Sequence, residues 1–287
     1  MTTIPDYLLI GHMTADLTPG GRVPGGTVSY AARTAAAFGI NVGLLTSAEN
    51  NEPLLSAVTP YADTVSIPAE ETTTYENIYL PTGRVQYVRG VAARLSAKDI
   101  PAHFAAAPLV HLAPIAGELD NDIAQPFKGA TVLLTLQGWL RRWDANGRVH
   151  FKRWFEPETL KHIDIVVFSE EDIVESPDME AAFASAVKHL FVTRAEKGGT
   201  YYHNGVPTPY TTPAVELVHP TGAGDVFAAA LLASLPIFNQ DIFKATTVAA
   251  RLAAISVTRF GLESAPTPDE VNAAIAYVKE HGGDAFE

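Results

Sequence analysis

The sequence predicts an α/β protein: helices on both faces of a mainly parallel central sheet, with a small β element set apart. Three observations point there. Apolar strand-like runs alternate with helical stretches from residue 7 onward, the arrangement of parallel strands joined by crossover helices. The segment 72–92 is rich in Thr, Tyr and Val and breaks that alternation. From residue 219 onward the chain reads as helical.

In chain order, "YLLIGH" (7–12) is a buried strand, and "GGTVSYAARTAAAFG" (25–39) an Ala-rich helix closed by Gly39. "NVGLLTSA" (41–48) is again a strand, followed by a short helix over 51–62. Residues 72–92 form a hairpin turning at Pro81, Thr82 and Gly83, of the kind that projects from the main layer. Strands resume at 109–114, 131–137, 163–168 and 190–194, and a second hairpin turns at Asn204-Gly205. Helices follow at 225–235, 240–258 and 268–281, the last started by "TPDE". No linker, low-complexity tract or repeat divides the chain, so one domain over 1–287 is expected.

Composition narrows the function. With 20 Lys and Arg against 32 Asp and Glu, the net charge is −12. That excess opposes non-specific nucleic-acid binding, which depends on neutralising phosphates. It leaves room for a nucleotide held by a few local donors. There is no cysteine, which excludes disulfides and thiolate chemistry. No apolar run approaches the roughly 18 residues of a membrane span, and "MTTIPDYLLIGHMTADL" does not read as a secretion signal. The expectation is a cytoplasmic protein with no membrane partner.

The most informative stretch is "HPTGAGDVFAAALLASL" (219–235). Gly222, Ala223 and Gly224 bring bare amides to the start of an apolar helix, where negative charge is favoured. Asp225 stands among them, suited to accept the proton of an attacking hydroxyl. The same residues equally describe a glycine turn with Asp225 as a helix cap. Other phosphate loops are excluded: "GGRVPGGT" lacks the P-loop lysine, and "GAGDVF" fails the dinucleotide-binding spacing. The nine histidines show no zinc-ligand spacing. Near the other end, Gly25 and Gly26 open a helix shortly after Asp16, a pairing of amides and carboxylate that suits a polyhydroxylated ligand.

These segments together resemble the ribokinase-like carbohydrate kinases, the PfkB family, over nearly the whole length. "GHMTADLTPGGRVPGGTVSYAARTAAAFG" resembles the first signature and "HPTGAGDVFAAALLASL" the second, more specific one. "VTRAEKGGTYY" resembles the nucleotide segment between them, and "AAISVTRFGLESAPTPDEV" the C-terminal stretch. The resemblance implies a ribokinase-like three-layer sandwich with a small β-sheet lid formed by about 13–24 and 72–92. It implies transfer of the ATP γ-phosphoryl group to a hydroxyl of a sugar or polyol; the alternatives are a nucleoside kinase on the same fold and a ribokinase-fold binding protein that has lost turnover. Asp225 would be the general base, and the amides of Gly222, Ala223 and Gly224 the anion hole. Asp16, Gly25, Gly26 and Tyr30 would face the acceptor; Arg89, after the lid hairpin, joins them on one reading and is a surface arginine on the other. Thr193, Gly198, Thr221, Ala250 and Gly261 would line the nucleotide, and Asp172 would serve Mg²⁺.

Four positions depart from the family pattern. Tyr30 replaces the usual acceptor-binding asparagine, which turns the expectation from ribose toward a ring-bearing or less hydroxylated acceptor. His219 stands where an aspartate often ligands a monovalent cation, so K⁺ activation is not expected. Asp172, in Ser169-Glu170-Glu171-Asp172, takes the place of a glutamate. Ala195 replaces the first glycine of the nucleotide segment. "TLQGWLRRWDANGRV" (135–149) follows a strand end, where ligands of α/β sheets gather. Its Gln137, Trp139, Arg141 and Arg142 meet acceptor or phosphate on one reading, and are surface arginines with a packed tryptophan on the other. Tyr75, Tyr79 and Tyr87 on the hairpin serve either lid packing or a homodimer through the lid.

Overall fold

A computed structural model describes residues 3–80 and 83–286. The strands are β1 (Tyr7–Ile10), β2 (Thr14–Thr18), β3 (Gly21–Gly25), β4 (Val42–Glu49), β5 (Asp63–Ala69), β6 (Thr74–Leu80), β7 (Gly83–Gly90), β8 (Leu109–Leu112), β9 (Thr131–Thr135), β10 (Arg141–Trp143), β11 (Val149–Phe151), β12 (Ile165–Ser169), β13 (His189–Thr193), β14 (Gly199–His203) and β15 (Val206–Tyr210). The α-helices are α1 (Thr27–Ala37), α2 (Pro157–Leu160), α3 (Met179–Ala186), α4 (Ala223–Ser234), α5 (Ile242–Ser256) and α6 (Pro268–His281).

The central sheet has nine strands in the order β15-β14-β13-β12-β9-β8-β1-β4-β5. Its body from β13 to β5 is parallel, and β14 and β15 add an antiparallel edge. The strands are continuous apolar runs because both faces are covered. Successive side chains point to opposite faces, which splits each strand between two cores. Tyr7 and Leu9 of β1 pack with α1, α4, α5 and α6, whereas Leu8 and Ile10 pack with Phe104, Ile123, Phe127, Trp139, Trp154 and Phe183. The first layer is helical. The second is built from α3 and irregular segments.

Strand and helix types hold along most of the chain, and the turn at Asn204-Gly205 has both residues at positive φ, 48° and 80°. The helix expected over 51–62 is a correction: only one 3₁₀ turn forms, Pro53–Ala57, with the Glu52 carboxylate accepting from Leu54 N–H. A chain this short between two strands, opened by Pro53, closes in one turn. The hairpin turn expected at Pro81-Thr82 lies outside the described residues. β5 and the β10–β11 hairpin were not foreseen; both are too short or too mixed in pattern to signal themselves.

Beside the main sheet stands a four-stranded sheet in the order β3-β2-β6-β7. It docks through Tyr75 and Val88, which pack on Ile115 and Ala116 beyond β8. Two contacts tie it to the body at other points. Arg22 of β3 is ion-paired with Glu52. His12, just beyond β1, bonds Thr73 Oγ1 (2.7 Å) and the Ala93 carbonyl (2.8 Å), one on the segment that enters β6 and one on the segment that leaves β7.

Candidate active site

Two helix starts meet beyond the carboxyl ends of the parallel strands, the usual ligand side of such sheets. The first is α1. Its N-cap, Gly26, has φ 81°, and a Cβ there would stand 2.9 Å from the His12 carbonyl oxygen, so only glycine lets the chain turn from β3 into the helix. Gly25 leaves room for Asp16, whose Oδ2 lies where a Gly25 side chain would begin. The Thr14 hydroxyl donates to Asp16 Oδ1 at 3.3 Å. Asp16 is the cross-strand partner of Tyr75, which places it on the face of the small sheet that turns toward the body.

The second start is α4. Gly222 is its N-cap in the left-handed region, φ 92°. Val226 is the residue whose amide reaches back to Gly222 O, at 2.9 Å. The amides of Gly224 and Asp225 therefore precede the first full turn and are aimed outward. The space around Gly224 is open. Asp225 is half-buried in the first turn, with the hydroxyl of Thr27, the first residue of α1, bonded to its carboxylate. Burial pushes the Asp225 carboxyl up to about 6; the Thr27 hydroxyl and the Arg141 guanidinium oppose that rise, and Asp172 adds to it.

Tyr30 follows one turn later on α1. It is only 5% exposed, and its ring lies against Gly222, where a Cβ would stand 2.5 Å from Cε1. The ring backs the Gly222 turn instead of standing open to a ligand. Arg89 is a clearer correction. It lies next along β7 to Val88, on the outer face, held by Glu76 at 2.6 Å and 4.5 Å above the Tyr87 ring. Period-two alternation sends it away from Asp16.

The end of β9 divides its four candidates. Trp139 is buried, its ring 4.3 Å from that of Trp154 and tilted by 34°, and donates to the Leu119 carbonyl. Arg142 is exposed and donates to the Phe151 carbonyl. Gln137 donates to Asp172 Oδ1 at 3.1 Å. Arg141 is half-buried and points to Tyr75 and the Ile115 carbonyl. Asp172 also accepts from Ser169 N–H (2.9 Å), closing a capping box on the turn Glu170–Ile173.

Of the residues expected to line a nucleotide, Thr193 ends β13 directly beside Ser169. Gly198 has φ 81°. Thr221 is exposed before Gly222, and Gly261 begins a 3₁₀ turn after α5. Val218 and His219 bond the Val257 carbonyl, which joins the 218–221 segment to the end of α5. Ala250 is a correction: its methyl is 2% exposed in the apolar layer of α4 and α5, and its carbonyl is taken by Thr212. The His219 ring lies 5.3 Å from that of Phe260.

Two contributors went unnoticed in the sequence. Thr27 directly follows the double glycine, a signal that was available. Glu118 was not: it is 1% exposed, and its carboxylate accepts from the amides of His12, Ile115 and Ala116 at 2.8–3.1 Å. It braces the ends of β1 and β8, and nothing in its sequence neighbourhood marks it. Among the described residues, no group of three or more His, Cys, Asp or Glu could by itself hold a metal ion, and no helix is long and apolar enough to cross a membrane.

Residues 157–270 match the family described as pfkB family carbohydrate kinase. The chain is 28% identical over 259 residues to the cytidine kinase of Thermococcus kodakarensis, an alignment covering 79% of this chain and 87% of that one. In fold it is similar to a pyrophosphate-dependent kinase of the ribokinase family complexed with a pyrophosphate analogue and myo-inositol (TM-score 0.77, 20% identity, 93% and 99% of the two chains). It is similar as well to Arabidopsis thaliana ribokinase complexed with ribose and ATP (TM-score 0.74, 19% identity, 95% and 99%).

Proposed function

We propose that this chain, a member of the ribokinase-like PfkB family, transfers the γ-phosphoryl group of ATP to a hydroxyl of a neutral sugar or polyol. The observation that carries the reading is the junction of α1 and α4: outward amides at Gly224 and Asp225, and a half-buried carboxylate held by Thr27. Asp16 orients the acceptor from the small sheet. Asp225 takes the hydroxyl proton as that oxygen bonds the γ-phosphorus and the bond to the β-phosphate oxygen breaks, releasing ADP. Charge on the transferring group is met by the amides of Gly224 and Asp225, already in place and needing no reorganisation, whereas the Ala223 amide expected beside them is turned to the Pro220 carbonyl at 3.4 Å.

Thr193, Gly198, Thr221 and Gly261 would border the nucleotide. Asp172 fits Mg²⁺ as an oxygen donor working through water, since each of its oxygens keeps a lone pair beyond its one hydrogen bond. Mg²⁺ would neutralise phosphate charge during transfer. The four-stranded sheet would act as a lid, hinged on the two segments that His12 holds, and its closure would keep water from the phosphoryl group.

A nucleoside acceptor is the second reading, favoured by the likeness to a cytidine kinase. The geometry supports it less. The rings available to stack on a base are engaged elsewhere: Tyr30 against Gly222, Tyr75 at 2% exposure, Tyr87 under Arg89. The test is ADP release from Mg·ATP against sugars, polyols and nucleosides, with pyrophosphate as a second donor and Asp225→Asn as control. Turnover with a sugar or polyol that disappears in the variant supports the reading. Turnover that survives in the variant removes Asp225 as the base.

A further inference from the structure

We propose that Arg141 is a third acceptor-binding residue, and that it commits the site to a neutral acceptor with adjacent hydroxyls. The inference deepens the kinase reading and rests on it.

The first ground is the state of the side chain. Arg22, Arg94, Arg153, Arg194 and Arg259 each lie within 4 Å of a carboxylate. Among the described residues Arg141 has no such ion pair, a state it shares with Arg33, Arg142, Arg148 and Arg251. One Nη1–H donates to the Ile115 carbonyl at 3.1 Å, and the guanidinium sits 5.5 Å over the Tyr75 ring, whose own hydroxyl donates to the same carbonyl at 2.7 Å. A half-buried guanidinium with five donors in a rigid fork keeps most of them for another oxygen.

The second ground is position. Tyr75 is the cross-strand partner of Asp16, so Arg141 stands against the body-facing side of the small sheet next to Asp16. From the other side Asp225 feels its charge. Arg141 thus lies within reach of both carboxylates assigned to the acceptor and touches neither.

The third ground is hydrogen-bond chemistry. Ionised carboxylates only accept, and a guanidinium only donates. A hydroxyl does both. A pair of neighbouring hydroxyls set between them gives its protons to Asp16 and Asp225 and takes hydrogen bonds from Arg141. An anionic acceptor is disfavoured: Asp172 and Asp225 act on one another, and like charges close together in a site of reduced dielectric repel strongly. Two fixed points, Ile115 O and the Tyr75 ring, hold the fork in place, so little entropy is lost on binding.

The experiment measures acceptor binding and turnover for wild type, Arg141→Gln and Arg141→Lys. Probes are myo-inositol, D-ribose and cytidine, with 2-deoxy-D-ribose, 2′-deoxycytidine and D-glucuronate against D-glucose as comparisons. For the best neutral acceptor, Arg141→Gln raises KM about 10- to 100-fold, as expected for a lost hydrogen bond to a charged donor, with kcat far less changed. Arg141→Lys restores part of the loss. Removing the adjacent hydroxyl from the acceptor costs wild type much and Arg141→Gln little, the non-additivity of a direct contact. Preference for D-glucuronate over D-glucose overturns the inference, as does an unchanged KM in Arg141→Gln. Failure of every probe to bind wild type in calorimetry overturns it too. Binding that depends on Arg141 without phosphoryl transfer from either donor would instead sink the kinase reading and leave the role of Arg141 standing.

Discussion

The hydroxyl of Thr27, the first residue of α1, is bonded to the carboxylate of Asp225, the third residue of α4. Residues 198 positions apart in the chain, each in the first turn of its helix, are thereby joined at the group proposed as the base.

That bond makes a prediction about pH. The Asp225 carboxyl is pushed up to about 6, so the proposed base form is complete only above that value. The acid limb of the kcat/KM profile should have its midpoint near pH 6. Thr27→Val keeps the shape and removes the donor, so the limb should move to higher pH. An unmoved limb would show that Thr27 does not act on Asp225.

The same shift has a consequence for stability. An unfolded aspartate loses its proton near pH 3.9, whereas the folded one keeps it to about 6. Between those values the folded state binds more protons, so the contribution of Asp225 to stability falls as pH rises through the window. Asp225→Asn abolishes this term. The variant should match wild type near pH 4 and have the higher Tm at pH 7, while losing about two or more orders of magnitude in turnover. Thermal melts across pH 4–7 check it.

Gly222→Ala should be damaging on two counts. The residue has φ 92°, and the new Cβ would press on Tyr30 Cε1. A loss of about 1–3 kcal/mol is expected, with turnover falling at least about tenfold as the turn before Gly224 shifts. Urea unfolding and steady-state kinetics measure both.

Ala195→Gly should stabilise. Ala195 holds φ 49°, a conformation that costs a non-glycine residue about 1–2 kcal/mol. Part of that is offset by the greater freedom of glycine in the unfolded chain. The net gain should be about 0.5–1 kcal/mol, read as a higher urea midpoint at unchanged m-value.

Replacing Na⁺ by K⁺ should change the rate little. The His219 ring faces Phe260, where a carboxylate would be needed to hold a monovalent cation. Strong activation by K⁺ in steady-state assays would show that another group takes that part.

The sequence by itself determined the class of fold and the two glycine-opened helices. Both are local matters: alternating apolar runs dictate strands and helices, and a glycine pair before an Ala-rich run marks a helix start wherever it lies. Asp16 and Asp225 were legible for the same reason, because each sits within the short pattern that shapes its backbone. What only the tertiary structure decided is which side chains meet across the chain. Arg89 and Arg141 look alike in sequence, yet strand alternation turns one outward to Glu76 and a strand end turns the other inward to Tyr75. Tyr30 reads as a ligand-facing ring until α4 folds over it and presses Gly222 against its face. Glu118 carries no local mark, because the three amides it gathers belong to the ends of β1 and β8, which come together only when the sheet forms. Backbone conformation is set largely by neighbours in sequence, whereas burial and partnership are set by neighbours in space.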